Sequence, residues 1–256
     1  MSNRNKILNE IKNEHPHVTM GDPSRINVTS FWHAGDKEAL YKKHTRKKET
    51  LDLLVENDWL NKKIFYRFNN QGFRSIHDYS DTNVNVPLIA AFGCSNTLGE
   101  GVTEEQRWSN LLAQMIGARV YNFGVSGAGV GTNYRHAYYW LPQLKFKAVF
   151  WLVPIPERLD FVDNLDKKCK TITAHEHHGH KNFRSEWLAN DLNSLLYQDA
   201  HVRAMQSLCD KYDIPLYMLH REEWKMVDRA RDLRHPGRDS HSLLAKHFYN
   251  LANIKR

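Results

Sequence analysis

Nothing in this 256-residue chain is apolar for long enough to cross a bilayer. Its longest apolar run, Ala148 to Pro156 (AVFWLVPIP), falls far short of the roughly 20 residues that a spanning helix needs. Cysteine is scarce as well. Cys94, Cys169 and Cys209 are 3 in number; an odd set closes no disulfide scaffold, and these share no metal-ligand spacing. The opening stretch, MSNRNKILNEIKNEHPHV, lacks the apolar core of a secretory leader. These absences set the expectation of a cytosolic (cytoplasmic) chain with reduced thiols. Lys and Arg outnumber Asp and Glu, 36 to 29, for a net charge of +7. The cations are scattered and form no stripe interleaved with aromatics, so nucleic acid is not the expected partner. What remains, 41% apolar and 25% charged residues, is the composition of a folded globular chain.

Residues 1–85 differ from the rest. Asn, Lys, Asp and His are frequent there, and one helical stretch is expected, Lys37 to Leu60. This part reads as an N-terminal arm packed on the main domain, with a small independent module as the alternative. Residues 86–256 carry a sharper pattern. Leu88 to Phe92 (LIAAF) is a short apolar run ended by Gly93, which marks a buried strand. Trp108, Leu111, Leu112, Met115 and Ile116 recur at helical spacing within Thr103 to Ile116, with Thr103 and Gln106 as a capping box and Gly117 as a stop. Strands are expected at Ala118–Phe123, Ala148–Val153 and Ile214–Leu219, and helices at Tyr134–Leu144 (interrupted near Pro142), Ser185–Tyr212 and Ser240–Ile254. Asp239 or Ser240 is the expected N-cap of the last helix. A polar insertion spans about 164–182; its histidines, His175, His177, His178 and His180, read as a surface tract rather than a metal site. Alternating strands and helices imply a three-layer α/β/α domain around a parallel sheet.

In such a sheet, ligands bind beyond the carboxyl ends of the strands. Ser95 stands there in FGCSNTLGEGV, after the first strand. A serine at that turn can present its hydroxyl to a cleft, although a lone strand-end serine more often caps a turn. After the second strand, NFGVSGAGVG brings Gly124, Gly127, Gly129 and Gly131 close together, which lets backbone approach a ligand. The spacing is not the phosphate-binding G-x-G-x-x-G, which argues against a nucleotide. Before the last helix, Asp232 and His235 stand in ARDLRHPGRDSHSLLAKHF. A carboxylate there can orient an imidazole toward a hydroxyl, and Pro236 restrains the histidine backbone. His241 is a second candidate base. Cys94 reads as buried packing, its thiol turned away from Ser95. Tyr134, Tyr138, Tyr139 and Trp140 read as packing of a helix on the sheet, with Tyr138 or Trp140 as candidate lining of an acyl pocket.

Together these blocks resemble the GDSL/SGNH hydrolase superfamily, which comprises serine esterases, acyl- and acetyl-esterases, thioesterases and lipases on a flavodoxin-like α/β/α fold. Phe92 to Val102 resembles its nucleophile block, with Ser95 in the nucleophile's place and Cys94 where the signature has an aspartate. NFGVSGAG resembles the second block and puts Gly127 where a glycine lends its N–H to the oxyanion. Asp232, His235 and Pro236 match the terminal D-x-x-H-P block. Asn70 to Arg74 (NQGFR) resembles a segment ahead of the first strand in some bacterial and phage members. The resemblance runs from about residue 65 to the C-terminus. One block departs from it. The family's third block carries Gly-x-Asn-Asp, whose first Asn donates to the oxyanion; here Val153-Pro154-Ile155-Pro156-Glu157-Arg158 stands in that place. Arg158, Asn96 and Asn133 are the candidate replacements. Arg158 is alternatively a holder of an anionic substrate group or an ion-pair partner of Glu157 or Asp160.

The resemblance implies cleavage of a carboxylic ester, on a small molecule or a carbohydrate, through an acyl-enzyme on Ser95. Asp232 and His235 complete the triad, and the N–H groups of Ser95 and Gly127 receive the oxyanion. Neither a cofactor nor a metal is called for. The alternative is an SGNH-fold binding or structural protein with weak or lost catalysis, which the missing asparagine favours.

Overall fold

In the computed structural model, which describes residues 20–80, 85–162, 169–173 and 191–254, the polar N-terminal part is built around a few buried aromatics. Strand β1 (Thr29–Ser30) is followed by helices α1 (Glu38–His44) and α2 (Lys48–Glu56) and then by β2 (Tyr66–Arg67), which pairs antiparallel with β1. The sequence pattern predicts one helix over Lys37–Leu60. Two form instead, because the polar stretch from Lys42 to Lys48 offers no apolar face to bury, and the chain turns there. Leu54, Trp59, Ile64, Tyr66 and Phe68 pack against Leu98, Val102, Ala230 and Leu233. Through these contacts the N-terminal residues reach both loops that carry the candidate site.

The chain continues as β3 (Leu88–Phe92), α3 (Ser95–Leu98), α4 (Trp108–Ile116), β4 (Arg119–Asn122), α5 (Val130–Trp140) and β5 (Phe146–Val153). A hairpin of β6 (Arg158–Val162) and β7 (Cys169–Thr173) follows, then α6 (Asp191–Lys211), β8 (Leu216–His220) and α7 (Arg238–Ile254). The main sheet has 4 strands, all parallel, in the order β4-β3-β5-β8. This is the doubly wound arrangement in which the chain reverses direction across the sheet beside the first strand. Successive side chains of β3 point to opposite faces, as a strand requires. Leu88, Ala90 and Phe92 join a cluster with Val130, Ala137 and Trp140 of α5 and Met205 and Leu208 of α6. Ile89 and Ala91 join Trp108 and Leu112 of α4 and Leu244 and Phe248 of α7. Helices thus cover both faces, and the fold is a three-layer α/β/α sandwich. Both central strands are buried on both sides, which explains why they read as continuous apolar runs.

Several expected boundaries shift for local reasons. Thr103 and Gln106 do bond, N–H and Oγ1 to Oε1 at 3.3 and 3.1 Å, but in a turn ahead of α4. The residue before that helix is Arg107, with extended backbone. Helix α5 starts at Val130 rather than Tyr134 and stops at Trp140, ahead of Pro142. Helix α7 is capped neither by Asp239 nor by Ser240. The Asp228 carboxylate reaches over to accept from Asp239 N–H (3.0 Å) and Ser240 N–H (2.8 Å). Part of the expected polar insertion is β7, paired antiparallel with β6. The tract from His175 to His180 lies outside the described residues. Among the described residues no helix is long and apolar enough to cross a membrane.

Candidate active site

The carboxyl end of β3 turns at Gly93, whose φ is 154°. A Cβ there would lie 2.1 Å from Thr97 Oγ1 and 3.0 Å from the Leu152 carbonyl oxygen, so the turn excludes any larger residue. Ser95 opens the single turn of α3, which Gly99 ends in the left-handed region at φ 83°. That turn is held from below by Arg74, a fully buried residue of the NQGFR segment. Its guanidinium donates to the carbonyls of Leu98 (3.3 Å), Val102 (2.9 Å) and Phe65 (3.0 Å), and also to that of Gly99. Buried charge is tolerated here because every direction of the fork but Nε meets an acceptor.

Opposite Ser95 stands the loop before α7. His235 Nε2 lies 2.9 Å from Ser95 Oγ, and His235 Nδ1 makes a short hydrogen bond with Asp232 Oδ2. The other Asp232 oxygen, Oδ1, accepts the N–H groups of Arg234 and His235, each at 3.0 Å. Leu233, between them, sits in the left-handed region at φ 56°. Such a backbone costs on the order of 1–3 kcal/mol in a non-glycine residue. It curls the loop so that the Asp232 carboxylate returns onto its own next turn. Burial pushes the Asp232 carboxyl up, but the hydrogen bond and charge of His235 hold it below its ordinary value. For His235, burial favours the neutral ring, yet Asp232, aided by Glu100 and Cys94, raises its pKa. The imidazole is therefore both oriented and made more basic.

Glu100 escaped the sequence reading. It is 1% exposed, and its Oε2 lies 3.4 Å from His235 Nε2. Gly35 N–H donates to the same oxygen at 3.2 Å, and the Ser126 hydroxyl also bonds the carboxyl. Oε1 makes no hydrogen bond and faces His33 Nε2 at 4.0 Å. The available signal was a lone carboxylate set between Gly99 and Gly101, one turn past the serine. Glu100, Asp232 and His235 bring ligand-type atoms within 4.8 Å of one another. Both ring nitrogens are engaged, one by Asp232 and one by Ser95, so the His235 ring ties these groups into one hydrogen-bonded cluster.

Ser95 and His235 open on a cleft of about 390 Å³ that Cys94, Asn96, Arg158 and Arg221 also line. Two of the three expected asparagine replacements, Asn96 and Arg158, are thus at the cleft. Asn133 is not: its Nδ2 donates to the Gly93 carbonyl (3.1 Å) and its Oδ1 accepts Trp151 Nε1–H (2.8 Å), so the amide is spent inside the core. Arg158 donates from Nη1 to the Ala128 carbonyl at 3.0 Å. Asp160 accepts the Thr132 N–H. Gly127 sits at φ 74° with open space where a side chain would be; it is the neighbour of Ser126 but does not itself line the cleft.

Three further expectations are corrected. Cys94 does not turn away from Ser95. Its Sγ is 4.0 Å from Ser95 Oγ, although the residue is buried as expected, at 4% exposure, where it lines the cleft. Burial pushes that thiol up, but the Arg158 charge, together with hydrogen bonds from Asn96 N–H and Arg158, leaves it below its ordinary value. His241 is fully buried, its Nδ1 accepting Trp108 N–H at 3.1 Å, with burial lowering its pKa to about 3. It holds the start of α4 and cannot serve the cleft. Trp140 is packed among Phe73, Tyr79 and Phe123, and Tyr138 is 55% exposed, so neither lines the pocket.

No protein-family model matches the chain, and no curated protein does. Among solved structures it is similar to a lipolytic protein of the G-D-S-L family from Desulfitobacterium hafniense, at 14% identity, covering 64% of this chain and 98% of that one, with a TM-score of 0.35. An acetyl xylan esterase from the rumen bacterium Butyrivibrio proteoclasticus is similar at 13% identity over 76% of this chain and 66% of its own, with a TM-score of 0.37. A lipase/acylhydrolase from Enterococcus faecalis is similar at 13% identity over 66% of this chain and 96% of its own, with a TM-score of 0.35. Likenesses this distant say nothing of this chain's activity.

Proposed function

We propose that this chain is a serine hydrolase that cleaves a carboxylic ester, of a small molecule or a carbohydrate, through an acyl-enzyme on Ser95. The observation that carries the reading is the continuous line from Ser95 Oγ through the His235 ring to Asp232, at the edge of a cleft. As Oγ attacks the carbonyl carbon, its proton passes to His235 Nε2 and the carbonyl electrons move onto oxygen. Asp232 keeps Nδ1 protonated and stabilises the imidazolium. Collapse of the tetrahedral intermediate breaks the bond to the alcohol oxygen, which takes the proton from Nε2. Water then attacks the acyl-serine, gives its proton to Nε2, and the acid departs as Oγ recovers that proton. The Ser95 N–H is assigned to the oxyanion, with Arg158 and Asn96, which line the same cleft, as the further donors; Gly127, expected in that role, is not among the lining residues.

A second reading is favoured by one observation. The loop after β5 runs Pro154-Ile155-Pro156 with no asparagine, and Asn133 is committed elsewhere. Loss of one oxyanion donor costs about 10²–10³ in rate, which would suit an SGNH-fold protein that binds rather than turns over.

A fluorophosphonate probe separates the two. On the serine-hydrolase reading it forms an adduct that peptide mapping finds on Ser95, and p-nitrophenyl acetate is hydrolysed. Both are lost in Ser95→Ala, whose thermal midpoint stays close to the parent's. A folded parent chain that takes no adduct would leave the binding reading.

A further inference from the structure

We propose that Glu100 is a positioning residue for His235: a second carboxylate, on the Nε2 side of the ring, that stabilises the imidazolium formed each time the ring takes up the Ser95 proton. The inference deepens the reading of Ser95 and His235 as a working pair and rests on it.

The geometry supplies the reason. Two oxygens face the same ring nitrogen, Ser95 Oγ at 2.9 Å and Glu100 Oε2 at 3.4 Å. With the ring neutral and Nδ1–H given to Asp232, Nε2 carries a lone pair. Ser95 can donate to that lone pair, whereas a carboxylate gains nothing from it. Once the serine proton has moved, Nε2 carries a hydrogen and the ring a positive charge. The carboxylate then lies near ion-pair distance in a place shut off from water, where charge acts strongly. Its attraction is therefore greater in the state with the proton transferred than in the resting state, which is the condition for lowering a barrier rather than merely binding.

Glu100 is also held as a device of this kind must be. Its N–H bonds the Ser95 carbonyl at 3.1 Å, so it belongs to the same turn as the nucleophile. Gly99 and Gly101, at φ 83° and 77°, bracket it. A Cβ on Gly101 would lie 2.6 Å from the Ala230 Cβ, so the neighbouring loop fixes how that turn can run. Gly35 N–H and the Ser126 hydroxyl satisfy part of the carboxyl, but Oε1 is left with no hydrogen bond. A buried carboxyl with an idle oxygen costs stability, so a purely structural role would be better served by an apolar or amide side chain.

The charged and titratable groups around it come from three directions. Asp232 and His235 face it from the loop before α7, His33 from the N-terminal part, and Cys94 and Arg74 flank the turn that carries it. Burial raises the Glu100 carboxyl, His235 opposes that rise, and Asp232 adds to it. Proton uptake by Glu100 and His235 is thereby linked, and any observed midpoint belongs to the pair.

The test is Glu100→Gln, which keeps the shape and an acceptor for Gly35 and Ser126 while removing the charge. In the Ser95→Ala background, NMR titration of the His235 ring is expected to show a midpoint lower by about one pH unit, since a nearby carboxylate no longer favours the charged ring. In the chain with Ser95 intact, kcat should fall about tenfold near neutrality with KM little changed. The acid limb of kcat/KM should move to lower pH, so that the variant-to-parent ratio rises as pH falls. A merely structural defect does not produce that rise. Should Glu100→Gln fold poorly, Glu100→Asp withdraws the carboxylate by one methylene and should give a smaller shift of the same sign. An unshifted ring midpoint in a folded variant overturns the proposal. A shifted midpoint in a chain that hydrolyses no ester and takes no fluorophosphonate would instead sink the hydrolase reading and leave the Glu100–His235 coupling in place.

Discussion

Arg231, the residue before Asp232, forms a two-pronged ion pair with Asp36 of the N-terminal part: Nε to Oδ1 at 3.0 Å and Nη2 to Oδ2 at 2.6 Å. Both side chains are nearly sealed from water, at 3% and 1% exposure. Tyr66 Oη donates to the same carboxylate at 2.6 Å, and the guanidinium also donates to the carbonyls of Phe31 and Lys62 and lies over the Trp32 ring. The loop that presents Asp232 and His235 is thus anchored to residues some 195 positions away in sequence.

Asp36→Ala should therefore be severe. Removing one partner leaves a guanidinium buried without its counter-charge, an error that costs about 3–5 kcal/mol. Urea denaturation followed by tryptophan fluorescence measures it. A loss under about 1 kcal/mol, typical of an exposed pair, would mean that the N-terminal residues are not part of the folded unit that holds the loop of Asp232 and His235.

Two buried histidines set the acid side of stability. Burial, helped by Arg25 and Arg74, lowers His33 to about 4. Burial lowers His241 to about 3, with Arg107 and Arg74 adding to the effect. Both rings stay neutral in the folded chain, whereas the unfolded chain protonates them near the ordinary value of about 6.5. As pH falls below that value, the unfolded state binds more protons, so folding stability drops. Each histidine contributes up to about 1.4 kcal/mol per pH unit until its folded pKa is reached. His235, whose pKa is raised, works in the opposite direction, with stability present at low pH and lost as pH rises through its folded value. Two outweigh one, so urea midpoints should fall between about pH 7 and about pH 5. His241→Asn, which keeps an acceptor for Trp108 N–H, should flatten that slope by about one proton. An unchanged slope in this variant would show that His241 is not held neutral.

How far the sequence went follows from which forces act locally. LIAAF and AVFWLV are legible because burial on both faces demands apolar residues at every position but Lys147, a pattern nothing else in the chain imitates. Ser95, Asp232 and His235 are legible because each belongs to a short block with fixed spacing. Asn133 is the contrary case. An amide one helical turn past a glycine loop reads the same whether it faces a cleft or, as here, ties Gly93 to Trp151. Asp228 as the cap of α7, and Asp36 as the mate of Arg231, depend on side chains meeting through space, which no local pattern encodes. Strand β6 alternates polar and apolar residues only from Arg158 to Phe161, and β7 (CKTIT) does not alternate, so this two-stranded hairpin leaves too short a pattern to read.

Cys94 should be the preferred site of thiol modification among the two cysteines whose side chains are described. Cys94, though buried, is one of the residues that line the cleft with Arg158, its thiol lies below its ordinary pKa, and the thiolate is the reactive form. Burial pushes the Cys209 thiol up to about 12, which leaves almost none of it ionised at neutral pH. Iodoacetamide near neutrality should therefore alkylate Cys94 ahead of Cys209, as read by peptide mass mapping, and the adduct should block fluorophosphonate at Ser95. Arg158→Gln should slow the reaction several-fold by withdrawing the cation. Labelling of Cys209 first, or an unchanged rate in the arginine variant, would contradict this account of the thiol.

The last test concerns the roof of the site. Gly35 lies close against the Glu100, His235 and Asp232 side chains: a Cβ there would sit 2.7 Å from Glu100 Oε2, 3.0 Å from His235 Cε1 and 3.3 Å from Asp232 Oδ2. Its backbone is outside the left-handed region, so alanine meets no conformational penalty and the substitution reports on space alone. The side chains it would press on are held by hydrogen bonds rather than free to swing, so one of those bonds must lengthen. Overpacking of this kind costs about 1–3 kcal/mol, and the part that falls on the ring moves Nε2 away from Ser95 Oγ. Gly35→Ala is thus expected to lower kcat about tenfold or more, because misplacement by a fraction of an ångström is felt at once in a proton transfer, while KM for a small ester changes little. Gly72→Ala is the control. Gly72 lies in the same N-terminal part but at φ 71°, and its Cβ would meet the Asp22 backbone at 2.4 Å, with no atom of Ser95, Asp232 or His235 among its nearest neighbours. That variant should lower stability and leave the kcat of the folded fraction near the parent's. Equal kcat values for Gly35→Ala and the parent would show that the N-terminal residues cover the site without touching its geometry.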